Sequence, residues 1–271
     1  MTGVAAALQR ARDEGRAALV GYLPVGFPDL ETSLAALRAM VRAGADVVEI
    51  GVPYSDPLMD GEVIQHAVDT ALAGGTRVRD TFRAVAAVAE EGAPALVMTY
   101  WNVIERYGVD RFADDLVAAG GAGLITPDLI PDEAGPWLRA AERTDLDRVF
   151  LVAPSSTDAR LVSTTRACRG FVYAASTMGI TGTRATVGDA AQVLVERTRA
   201  VTDVPVCVGL GVSDGAQAAQ VAGFADGVIV GSALVRALAD APTPAAGITA
   251  VERLTAELAE GVRAGRRTHA G

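Results

Sequence analysis

Lysine is missing from this chain altogether. Its 24 basic residues are all arginine, set against 33 acids in 271 residues. Without lysine the chain forms no Schiff base with a carbonyl substrate. Nor can it anchor pyridoxal phosphate or supply the lysine of a phosphate-binding P-loop. An arginine-rich codon bias is sufficient cause, and the chemical exclusion holds whatever the cause. Cysteine is scarce too. Cys168 and Cys207 lie far apart, lack metal or redox spacing, and read as small buried hydrophobes. The two histidines, His66 on an early helix and His269 in the C-terminal tail, are isolated and make no zinc pattern. A net charge of -9 argues against nucleic acid as a partner. No apolar run reaches membrane-spanning length. Met1 to Arg16 mixes charges where a secretion signal needs an apolar core. The expected location is the cytoplasm, with neither membrane nor nucleic acid as partner.

What the chain has is a rhythm. Half of its residues are apolar, ample for a large core. Short apolar runs recur at Ala17–Leu23, Asp46–Ile50, Ala95–Tyr100, Gly123–Thr126, Arg148–Val152, Gly170–Ala174, Pro205–Gly209 and Gly227–Val230. They are continuously apolar, as strands buried on both faces are. Between them the apolar spacing is helical: Asp29–Ala43, Glu62–Leu72, Val78–Glu91, Val109–Ala119, Asp132–Arg143, Asp158–Cys168, Gly188–Val201, Asp214–Ala222, Ser232–Ala239 and Thr249–Arg263. Thr2–Gly15 adds a helix in front, and Ala241–Ala246 is read as a spacer between the last two helices. Eight strands, each followed by a helix, predict a single (β/α)8 barrel domain over residues 1–271. A doubly wound open sheet is the alternative.

In such a barrel the chemistry sits where the strands end. Glu49 lies inside the second strand, and an ionised group in an apolar run is costly unless it is paired or working. The competing reading is a structural carboxylate paired with an arginine. Asp60 follows on the same strand-to-helix connection. It is an ordinary Asp-Gly turn by itself, but paired with Glu49 it fits two acids tuned apart for proton transfer. Gly182, Gly209-Leu210-Gly211 and Gly231-Ser232 fall after the last three strands, where barrels bind phosphate on backbone N–H groups and a helix start. Tyr173 reads equally as a core aromatic or a site hydroxyl. Asp128 reads as a helix cap or turn former more readily than as a catalytic group.

The run Glu49-Ile-Gly-Val-Pro-Tyr-Ser-Asp-Pro-Leu-Met-Asp60-Gly61, with Ile64-Gln65 after it, resembles the signature of the tryptophan synthase α subunit. So do Pro127-Asp128-Leu129, Gly179-Ile180-Thr181-Gly182, Gly209-Leu210-Gly211-Val212-Ser213 and Gly231-Ser232-Ala233, in order over nearly the whole chain. The resemblance implies reversible retro-aldol cleavage of indole-3-glycerol phosphate to indole and glyceraldehyde 3-phosphate. Protonation of indole C3 makes the substrate its own electron sink, which suits a chain without lysine. By resemblance, Glu49 moves protons at C3 and at the glycerol hydroxyl, Asp60 holds the ring nitrogen, and Tyr173 aligns Glu49. Gly182, Gly211, Gly231 and Ser232 bind the phosphate. Tyr22, Met98, Ile125 and Leu151 wall the indole pocket, and Thr181 lies on a loop that closes over substrate and touches Asp60. The resemblance also implies an α2β2 assembly. No cofactor is expected on this chain; pyridoxal phosphate belongs on a β subunit, which Asp56 and Leu58 face. Three positions depart from the family: Met59 stands where a small residue is usual, Glu62 where proline is common, and Pro24 where threonine is more usual. A stand-alone indole-glycerol phosphate lyase, a non-catalytic regulatory subunit and another phosphate-handling barrel such as a sugar isomerase are the competing readings. The long Glu49–Gly61 match speaks against the last.

Overall fold

The structure is a computed structural model that describes residues 3–176 and 189–265. Within them the chain runs α1 (Gly3–Asp13), β1 (Ala18–Pro24), α2 (Leu30–Arg42), β2 (Val47–Gly51), α3 (Glu62–Ala73), α4 (Val78–Glu90), β3 (Ala95–Met98), α5 (Trp101–Tyr107), α6 (Val109–Ala118) and β4 (Gly123–Ile125). It continues α7 (Gly135–Thr144), β5 (Asp147–Val149), β6 (Leu151–Val152), α8 (Asp158–Ala167), β7 (Val172–Ala175), α9 (Asp189–Arg199), β8 (Val206–Gly209), α10 (Gly215–Ala222), β9 (Gly227–Val230), α11 (Ser232–Ala239) and α12 (Pro244–Ala264).

All strand pairings are parallel, in the order β5-β4-β3-β2-β1-β9-β8-β7-β6. The two end strands are consecutive pieces of one run, broken only at Phe150, so the sheet closes on itself with eight strand positions. This is the predicted (β/α)8 barrel rather than an open sheet.

Side-chain parity divides the core in two. Leu19, Leu23, Val48, Ile50, Val97, Leu124, Val172, Val208 and Val228 point outward and pack with the helices. Ala18, Val20, Val47, Leu96, Ile125, Val149, Phe171, Cys207 and Ile229 fill the barrel. With them are buried Val4, Ala7, Leu8 and Ala11, so α1 covers the barrel floor at the N-terminal ends of the strands. Any cavity is thereby confined to the opposite, C-terminal end.

Five elements differ clearly from the sequence expectation. The third strand stops at Met98 instead of Tyr100, and Trp101–Tyr107 is a helix that was not expected. The fifth is split at Phe150. The helix expected from Asp132 starts at Gly135, with Pro136 in its first turn. The last helix starts at Pro244, not Thr249: Thr243 caps it by accepting from Ala246 N at 3.2 Å, and proline at the first helical position wastes no donor. The second half of Ala241–Ala246 is thus helix start rather than spacer.

Candidate active site

A cavity of about 460 Å³ opens at the C-terminal ends of the strands. Its floor is made by inward-facing residues from around the barrel: Tyr22 on β1, Glu49 on β2, Met98 on β3, Leu151 on β6 and Tyr173 on β7. Period-two alternation delivers these side chains to one place, since each lies on the inward register of its strand.

Glu49 is 1 % exposed, and neither carboxyl oxygen has a hydrogen-bond partner among the described residues. Among the described residues no arginine pairs with it, as a structural ion pair would require. Burial disfavours the charged form and pushes its pKa up to about 8. At neutral pH this is a carboxylic acid with a proton to give. Tyr22 is its Cα partner on the neighbouring strand. Burial, and then the charges of Asp60 and Glu49, raise the Tyr22 phenol above its ordinary range. Burial, and then the Glu49 carboxyl, do the same for Tyr173. Both rings lean on glycines. A Cβ at Gly51 would stand 2.2 Å from the Tyr22 hydroxyl, and one at Gly209 would stand 2.6 Å from the Tyr173 hydroxyl. Gly209 is therefore explained by the phenol it admits.

Asp60 reaches the same cavity from the loop after β2. Burial raises its pKa, opposed by a hydrogen bond from Tyr100, whose hydroxyl donates to Oδ1 at 3.2 Å. The Gln65 amide donates to the Asp60 carbonyl oxygen at 2.6 Å, tying the loop to the first turn of α3. Met59, the departure beside Asp60, is 58 % exposed yet also lines the cavity at its rim. Two carboxyls with different surroundings thus share one chamber, one sealed in the barrel and one on a loop.

Across the chamber lie Leu210, Gly211, Gly231 and Ser232. Gly211 has φ +83°, in the left-handed region that glycine enters at little cost. Ser232 begins the eight-residue α11, behind an N-cap glycine that offers no side-chain bond of its own. A helix start of this kind leaves backbone N–H groups and a positive dipole end for an anion.

The structure thus brings together Glu49, Asp60, Tyr173, Gly211, Gly231, Ser232, Tyr22, Met98 and Leu151. Ile125 does not join them. It is wholly buried among the residues that fill the barrel, and Pro127 from the next loop lines the cavity instead. Thr181 and Gly182 lie outside the described residues, as does His269. His66 is exposed on α3, away from the chamber, as expected. Asp128 is a cap: its carboxylate accepts from Trp101 N, at 2.9 and 3.1 Å from its two oxygens. Tyr100 and Ser176 also line the chamber and were not singled out from the sequence.

Residues 8–263 match the family model for the tryptophan synthase alpha chain. A tryptophan synthase alpha chain from Salinispora arenicola is 63% identical over 97% of this chain and 98% of its own length. One from Thermobifida fusca is 60% identical over 98% of this chain and all of its own. Among solved structures, a chain of tryptophan synthase from M. tuberculosis in an open form superposes with a TM-score of 0.90 at 56% identity, covering 97% of this chain and 99% of that one. A tryptophan synthase subunit alpha from Legionella pneumophila does so with a TM-score of 0.86 at 30% identity, covering 97% and 98%. By sequence and fold together, the chain belongs to the tryptophan synthase α-chain family, the lyases that cleave indole-3-glycerol phosphate in tryptophan biosynthesis.

Proposed function

We propose that Glu49 and Asp60 divide the cleavage of indole-3-glycerol phosphate between them. Glu49 begins protonated and gives its proton to indole C3, leaving an indolenine-like cation. The resulting carboxylate then takes the proton of the hydroxyl on the adjacent glycerol carbon. That carbon becomes the aldehyde of glyceraldehyde 3-phosphate as its bond to C3 breaks. The electron pair of that bond returns to the ring and restores the indole. Glu49 ends protonated again, so one carboxyl serves as acid and base in turn. Asp60 accepts the ring N–H and offsets the positive charge that develops there. Tyr173 aligns Glu49, and Tyr22, Met98 and Leu151 wall the ring. Gly211, Gly231 and Ser232 hold the phosphate, together with Gly182.

The observation that carries this reading is Glu49 itself: a carboxyl buried to 1 % exposure, without a partner among the described residues, facing a chamber that holds a second acid. An indole-release assay tests it. Glu49→Gln should lose about 100- to 10,000-fold in turnover while still binding substrate. Asp60→Asn should lose turnover with little change in affinity for glycerol phosphate. Near wild-type turnover in Glu49→Gln would sink the assignment.

The same reading makes residues 1–271 one domain and gives it a partner. Leu58 and Met59 are 78 % and 58 % exposed at the rim of the chamber, next to Asp56. Large apolar side chains displayed beside an active site suit a docking subunit. We take that subunit to be the β chain of an α2β2 assembly, carrying the pyridoxal phosphate. Assaying the chain with and without the β chain separates this from a stand-alone lyase. Cys168 and Cys207 are buried thiols rather than a disulfide, which suits the cytoplasm.

A further inference from the structure

Resting on the assignment of Asp60 to the indole nitrogen, we propose that Tyr100 is the positioning residue that sets that carboxylate. A phenol has one proton and two lone pairs. Here all three are engaged by consecutive residues of one loop. The Tyr100 oxygen accepts from Leu58 N at 3.2 Å and from Met59 N at 3.0 Å, and its proton goes to Asp60 Oδ1 at 3.2 Å.

Besides these bonds, the loop is tied by the Gln65 amide on the Asp60 carbonyl oxygen, which holds the backbone and not the carboxylate. Leu58 and Met59 are mostly exposed, so their side chains contribute almost no packing. Tyr100, in contrast, is 5 % exposed and seated from two sides. Its ring lies 5.4 Å from that of Tyr54, and Asn102 donates to the Tyr54 hydroxyl at 3.1 Å. The next peptide is fixed by the Asp128 carboxylate on Trp101 N. A rigid phenol thus fixes an exposed loop through a single oxygen.

Two consequences follow for the chemistry. Oδ1 of Asp60 already accepts from Tyr100, which leaves Oδ2 the less encumbered acceptor for the indole N–H. The Tyr100 donor also favours the ionised carboxylate, against the burial that disfavours it. Asp60 must be ionised to meet the positive ring.

Tyr100→Phe tests this, because it keeps the ring and removes only the oxygen. The measurements are indole release by the full chain with its β partner, affinity for glycerol 3-phosphate, and the pH profile of kcat/KM. The expected result is a loss of about 10- to 30-fold in kcat/KM, unchanged affinity for glycerol 3-phosphate, and an acid limb moved to higher pH. In an Asp60→Asn background the same change should cost less than about 2-fold, since the carboxylate it serves is gone. Tyr100→His, which keeps an aromatic ring but shortens its reach to Asp60, gives a loss of the same kind and stands in should Tyr100→Phe fail to fold. Wild-type kcat/KM in Tyr100→Phe, or an equal loss in both backgrounds, overturns the proposal while the assignment of Asp60 stands. Full turnover in Asp60→Asn overturns that assignment and the proposal with it.

Discussion

In the proposed mechanism one residue, Glu49, carries both the function and a cost to the fold. Its pKa is about 4.5 when unfolded and about 8 in place. Between those values the folded chain keeps a proton that the unfolded chain has lost. Stability therefore falls as pH rises through that window, by about 1.4 kcal/mol per unit. Glu49→Gln removes the slope. The variant should match the wild type near pH 4.5 and exceed it by on the order of 3 kcal/mol at pH 7, read from denaturant unfolding across pH. Turnover should move the opposite way, with the alkaline limb of wild-type kcat/KM falling near pH 8 as the acid loses its proton. A glutamine variant no more stable than the wild type at pH 7 would show that Glu49 is not held neutral. Glu49 was legible in the sequence for the reason it is costly, a charge in an apolar run. Tyr100 was not. Its bonds go to residues 40 to 42 positions earlier, and no local pattern marks a tyrosine for such a task.

At the scale of elements, strands and glycine turns read well from the chain, and helix starts governed from a distance did not. Tyr100-Trp101 looks like the end of a strand. The helix α5 begins there because Asp128, on the loop after β4, supplies the cap that its own N-terminus lacks. Such a signal comes from 27 residues away and leaves no trace in a local window. Asp128→Ala should lower stability by about 1 kcal/mol, the usual worth of a helix cap. It should also reduce turnover by a smaller factor than Tyr100→Phe, because it loosens the peptide that seats the phenol. Unchanged turnover with lowered stability would confine Asp128 to the fold. Ile125 came from the family resemblance alone, and in the structure it is wholly buried with the residues that fill the barrel.

On the scale of the whole molecule, the barrel places its chemistry at one end because α1 closes the other. Alternation of apolar strands and helices made that architecture legible, and closure through a broken strand was hidden only because Phe150 is as apolar as its neighbours. The break has a mechanical consequence. β1 contributes seven paired residues to the wall, whereas β5 and β6 contribute three and two. Backbone amides of residues 147–152 should exchange with solvent faster than those of β1 and β2; equal protection around the ring would contradict this. Such an exchange pattern would make the wall uneven in compliance, stiff along β1 and yielding at Leu151. In the proposed mechanism the indole ring rests on Leu151, so a ring with an added substituent would push on the soft side without displacing Glu49, and bulk would be tolerated in one direction and resisted in the other.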